Sequence, residues 1–178
     1  MQIPLVRSVF DVSEWFLKTA DSDNDRLTPL RLQHLLFLTQ GYYAALSKGK
    51  LLMPCLFVAT AHGPVEPNSF CVYAGGRIKI DALPPPKEVL SLLDGIWRKF
   101  GAFSAEFLER NVSEHDPVIK ALMHGENTEI SLSDMSAFYG KNGKNAKVPS
   151  SQTFDKPRIM RSQTGKTVAV KKWEPKKG

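Results

Sequence analysis

The chain has 178 residues, 42% of them hydrophobic, with 24 Lys and Arg against 18 Asp and Glu and a formal net charge of +6. Such a composition supports one packed domain with an appendage and excludes global disorder. The charge is uneven: residues 141–178 hold 11 Lys and Arg and 2 acids, whereas residues 1–140 hold 13 bases and 16 acids, so attraction to nucleic acid rests on the tail and not on the body.

The N-terminus Met1-Gln2-Ile3-Pro4-Leu5 lacks the basic start and long apolar core of a secretory signal. No apolar run reaches the length of a membrane span. Two cysteines, Cys55 and Cys71, are too few for a disulfide framework, and both are expected as small core residues in a reducing cytoplasm. A bridge between them remains open at this level.

The first helix is expected to enter at Phe10, with Asp11 as cap and Glu14 reaching back to it. It ends in the polar run Asp21-Ser22-Asp23-Asn24-Asp25, which lacks the glycine and distant Glu of a calcium loop and reads as solvated. Thr28 can then cap a second helix whose first position suits Pro29. From Leu30 to Leu46 apolar residues nearly encircle the axis, the pattern of a helix inside a domain. Gln33, His34 and Gln40 sit within it and need hydrogen-bond partners there. Gly49 suits the stop.

Leu56–Thr60 reads as a strand or extended segment. His62-Gly63-Pro64-Val65-Glu66-Pro67 cannot be helical before its prolines. A short helix is expected over Asn68–Tyr73, and Arg77–Ile80 alternates like a strand. After the stiff Pro84-Pro85-Pro86, helical spacing runs from Val89 to Phe100 and stops at Gly101. Ser104 and Asp116-Pro117 start two more helices, and Ser133 a last one with Met135, Phe138 and Tyr139 inward. Gly140–Asn145 has linker composition. Beyond it, Ile159–Arg161 and Thr167–Val170 can pair as a hairpin about a Thr164-Gly165 turn.

The histidines do not fall at zinc-binding spacings, and Cys55 and Cys71 stand singly. Gly75-Gly76 lacks the Lys-Ser/Thr of a phosphate loop. His62-Gly63-Pro64 admits two readings, a partner contact or a turn in which His62 bonds a backbone carbonyl. The tail, with Lys166, Lys171, Lys172 and Trp173, can meet phosphates and stack on a base, engage an acidic protein, or serve only as a solvated extension.

Thr28-Pro29-Leu30-Arg31-Leu32-Gln33-His34-Leu35-Leu36-Phe37, then Gln40-Gly41, then His62-Gly63-Pro64-Val65 resembles the Panacea antitoxin-domain family, whose relatives include SocA-like adaptor antitoxins and phage-associated proteins. The likeness spans residues 5–140. It departs at Ser113–Pro117, which is shorter than the family's segment there and has Val118 where Trp is usual. The resemblance implies that Thr28, Pro29, Leu32, Gln33, Gln40 and Gly41 build the fold. It implies a non-enzymatic antitoxin or proteolytic adaptor that binds a toxin or a protease component, without cofactor. Candidate contacts are His62, Gly63, Pro64, Phe70, Tyr73 and Trp97, with Tyr43 beside them. The rival readings are a nucleic-acid binder acting through the tail and a hydrolase built on His62 or His115. The expected fold is mainly α, a multi-helix domain over 1–140 around one buried central helix, with a small β element and a basic extension over 141–178.

Overall fold

The structure, a computed structural model, describes residues 3–143 and, as backbone, 158–161 and 167–170. At its centre lies α2 (Pro29–Leu46), preceded by α1 (Val9–Ser22). Thr28 caps α2 by accepting from the Arg31 N–H, with Pro29 at the first position. Every residue from Arg31 to Gly41 is buried. Burial on all sides needs neighbours on all sides. α3 (Pro67–Ala74), α4 (Lys87–Phe100), α5 (Ala105–Ser113), α7 (Leu132–Gly143), α1 and the strand β2 (Gly63–Val65) all pack on it. Phe16, Leu35, Leu36, Phe37, Phe57, Leu93, Leu108 and Met135 join in one core.

β2 lies at the edge of a three-stranded antiparallel sheet in the order β2-β1-β3, with β1 at Val58–Thr60 and β3 at Thr128–Glu129. Pro64, opposite Ala59 in the register, is tolerated because an edge strand need not donate on its outer side. α6 (Asp116–Met123) packs on β1. The fold is thus mainly α with a small sheet. Among the described residues no helix is long and apolar enough to cross a membrane.

Four local expectations are corrected. Ser8, not Asp11, caps α1; Asp11 lies at the third helical position and its carboxylate accepts from the Ser8 N–H, closing a capping box. Arg77–Ile80 forms no strand: it pairs with no member of either sheet, and alternation without a partner does not make one; further on, Leu83 N–H donates to Asp11 Oδ1 at 2.9 Å. α7 starts at Leu132, before Ser133, and stays helical through Gly143, across residues with linker composition. Cys71 is exposed rather than in the core, and Cys55 is half-buried; both thiols are free. The expected tail pairing is present as β4 (Arg158–Arg161) against β5 (Thr167–Val170), while the turn between them lies outside the described residues.

Candidate functional site

The polar residues of α2 organise the segments that follow it. Gln33 Oε1 accepts from the Glu66 N–H at 2.8 Å, and its amide donates to Ser69 Oγ at 3.0 Å. Glu66, fully buried, in turn caps α3 by accepting from the Asn68 and Ser69 N–H groups. Gln40 Oε1 accepts from the N–H groups of Leu52 and Met53 at 3.2 and 3.3 Å. Arg31 reaches Asp25 and the Gly101 carbonyl, and its guanidinium lies 6.0 Å from the Trp97 ring centre. A Cβ on Gly41 would collide with the Tyr139 ring, so glycine here lets α7 lie against the α2 backbone. Thr28, Pro29, Leu32, Gln33, Gln40 and Gly41 therefore all serve the architecture.

His34, fully buried, donates from Nε2 to the His62 carbonyl at 3.0 Å. Burial lowers its pKa and outweighs the raising effects of that bond and of Glu109, so the surroundings favour the neutral ring. This reverses one reading of the sequence. His62 supplies a carbonyl rather than binding one, and its ring stands exposed with Nδ1 3.3 Å from Glu109 Oε1. Gly63 takes φ +88°, and a side chain there would crowd His34 Nε2 and Ser113 Oγ, each 3.2 Å from the Cβ position. Thr60 Oγ1 closes the turn by donating to the Gly63 carbonyl at 2.8 Å. Gly63 and Pro64 are buried and hold His62 out at the surface.

Beside this turn lies the outer face of α5. Ser104 caps that helix, while Leu108 and Val112 face inward. Glu106, Glu109, Arg110 and Glu114 line an open hollow with Ala61. Next to it Phe103 and Phe107 stack with ring centres 4.4 Å apart, 39% and 47% exposed. Exposed stacked aromatics with a polar surround are a docking surface in miniature. The sequence reading missed this pair, though two aromatics four residues apart across a helix cap were its signal.

Other candidates fall elsewhere. Tyr73 is 3% exposed and donates to Glu14 at 2.8 Å; burial, then that carboxylate, raises its pKa. Trp97 is 7% exposed and donates to Asp23 at 2.8 Å. Both brace the fold. Phe70 and Tyr43 are half-buried. His115 Nδ1 lies 2.9 Å from the Tyr139 hydroxyl, and burial lowers its pKa to about 4 despite Asp116. The Cys55 thiol is pushed up to about 12 by burial. Lys166, Lys171, Lys172 and Trp173 lie outside the described residues. No family model, curated protein or solved structure matches the chain.

Proposed function

We propose that the chain is a non-catalytic protein-interaction module of the antitoxin or proteolytic-adaptor kind, acting in the cytoplasm on a toxin-like protein or a protease component. One observation carries this reading: the stacked Phe103–Phe107 pair stands exposed beside the Glu106, Glu109 and His62 rim. Burying the open half of two Phe side chains contributes roughly 2 kcal/mol, enough for a central anchor of an interface. The carboxylates beside it favour a basic partner surface and speed encounter. The buried hydrogen bonds of Gln33, His34 and Gln40 keep the body rigid, which limits the ordering cost of docking. The resemblance of the α2 and Gly63-Pro64-Val65 residues to the Panacea family points the same way. Docking would neutralise a toxin by covering its working surface.

The test is co-purification of the full chain with the product of the adjacent gene. A Phe103→Ser/Phe107→Ser variant is expected to lose the complex while keeping its far-ultraviolet circular dichroism. Failure of the unaltered chain to form a complex defeats the reading. The excess of 11 Lys and Arg over 2 acids in residues 141–178 supports a second reading, nucleic-acid binding through the tail. There, affinity for DNA or RNA should fall steeply with salt and vanish on removal of residues 144–178.

A further inference from the structure

The outer face of α5 holds more negative charge than its surroundings neutralise. Glu106, Glu109 and Glu114 line the hollow there against one guanidinium, that of Arg110. His62 meets Glu109, while Glu106 and Glu114 enter no ion pair among the described residues. Phe103 and Phe107 add two half-open rings beside the start of the same helix. A ligand for this face needs an aromatic side chain set among cations. The chain carries such a run itself. Residues 171–178 read Lys171-Lys172-Trp173-Glu174-Pro175-Lys176-Lys177-Gly178, a Trp between two lysine pairs with a single acid. Phe154, the other aromatic of the basic extension, has Asp155 beside it instead.

The run also starts within reach. α7 lies against the C-terminal end of α5, where the Tyr139 hydroxyl is 2.9 Å from Nδ1 of His115, the residue after the Glu114 cap. The described body ends one turn later, at Gly143. In the β4–β5 ladder Val170 lies opposite Arg158, so the strand pair returns the chain to where it entered. The span from Gly143 to Lys171 is therefore set by residues 144–157 and the width of one strand pair, about 5 Å. A stretch of that length covers at most about 48 Å, against about 14 Å for the whole of α5.

We propose that residues 171–178 dock on the α5 face of their own chain, with Trp173 on the Phe103–Phe107 pair and the lysines against Glu106, Glu109 and Glu114. This rests on the interaction reading of that face and adds its regulation: the tail holds the site until a partner displaces it. Charge complementarity and the open rings select the occupant. Four lysines and one Glu give the segment side-chain charges of +3, and three carboxylates with one guanidinium give the hollow −2. Tethering strengthens the contact. A short linker holds the segment at an effective concentration in the millimolar range, so even a weak contact is occupied most of the time. A basic partner must outcompete it, which keeps the face from ligands that bind weakly.

The experiment compares amide spectra of the isotope-labelled full chain and of its Lys171→Glu/Lys172→Glu/Trp173→Ser variant. These positions follow β5 and lie outside the Arg158–Val170 ladder, so the strand pairing is kept. Differences are expected at Phe103, Phe107, Arg110 and Glu114, and none at Leu93 in the core. The peptide Lys-Lys-Trp-Glu-Pro-Lys-Lys-Gly, added to the variant, should restore the original shifts. It should bind the unaltered chain about ten-fold more weakly, because the tethered segment competes with it. Adding Phe103→Ser/Phe107→Ser to the variant should abolish peptide binding. Identical α5 amides in the two full chains, equal peptide affinity for both, or differences that grow with protein concentration, as when two copies exchange tails, would each overturn the proposal. The product of the adjacent gene separates this contact from the interaction reading. If it binds the tail variant about ten-fold more tightly than the unaltered chain, both stand. If it binds the two equally and the α5 amides are unchanged, the tail contact is refuted and the interaction reading stands. If the amide pattern is as expected and neither chain forms a complex, the reverse holds.

Discussion

The ring of Tyr139 occupies the space where a side chain on Gly41 would begin. That single relationship joins the last helix of the body to its central one, and α7 packs on α2 more extensively than any other helix does. It explains why a glycine, a poor residue for a helix interior, stands in the middle of α2.

Gly41→Ala should therefore destabilise the protein despite its better helix propensity. Forcing a methyl against the Tyr139 ring costs about 1–3 kcal/mol. The urea midpoint should drop accordingly. In Gly41→Ala/Tyr139→Leu the two losses should not add, because the smaller side chain makes room. An unchanged midpoint for Gly41→Ala refutes the packing account.

Gln33→Leu keeps the volume but strands the Glu66 N–H in the interior and leaves Ser69 Oγ with only its bond to the Glu66 carbonyl. Leaving such groups unpaired costs about 2–3 kcal/mol. Amide exchange at Glu66 should accelerate more than at Leu93, which lies away from the break.

Gly63→Ala places a methyl at φ +88°, close to both His34 Nε2 and Ser113 Oγ. The backbone strain alone costs about 1 kcal/mol, and displacement of the His34–His62 bond adds to it. Thermal denaturation gives the size of the loss. A melting temperature equal to that of the unaltered chain means that the turn does not depend on glycine.

His115 links stability to acidity. Its pKa in the folded state is about 4, depressed mainly by burial, against 6.5 when free. Above pH 6.5 the ring is neutral in both states and costs nothing. As pH falls from 6.5 towards 4 the unfolded chain takes up the proton first, so stability is lost across that window. The loss is about 2 kcal/mol after allowance for partial exposure of the ring. His34 is shifted in the same direction by burial. Urea unfolding at pH 7 and pH 4.5 should show a shallower decline in His115→Leu than in the unaltered chain, with the part due to His34 retained. Identical declines would remove His115 from the account.

Much of this architecture was readable in the residues. The Thr28 cap and Pro29 announce α2, and its all-round apolar pattern announces its burial. Where the reading failed, tertiary contacts decided between local options. Ser8 and Asp11 both offer capping oxygens. The chain takes Ser8, and Val6 N–H is bonded to the Leu52 carbonyl just before it. Arg77–Ile80 alternates correctly but pairs with no strand of either sheet. Gly140–Gly143 has linker composition yet stays helical, carried on by the docking of Tyr139 one residue earlier. The Phe103–Phe107 pair was hidden for a different reason. Only the placing of Leu108 and Val112 inward shows which face of α5 is left outside.

The partners of α2 arrive in a definite order along the chain. Gln40 needs Leu52, His34 needs His62, Gln33 needs Glu66, Arg31 needs Gly101, and Gly41 waits for Tyr139. During synthesis the spine thus emerges early and is covered last on the side of Gly41. Until α7 has left the ribosome, that flank stays open to chaperones and to other nascent chains. Truncations that end before residue 139 should accordingly aggregate rather than yield a smaller folded body.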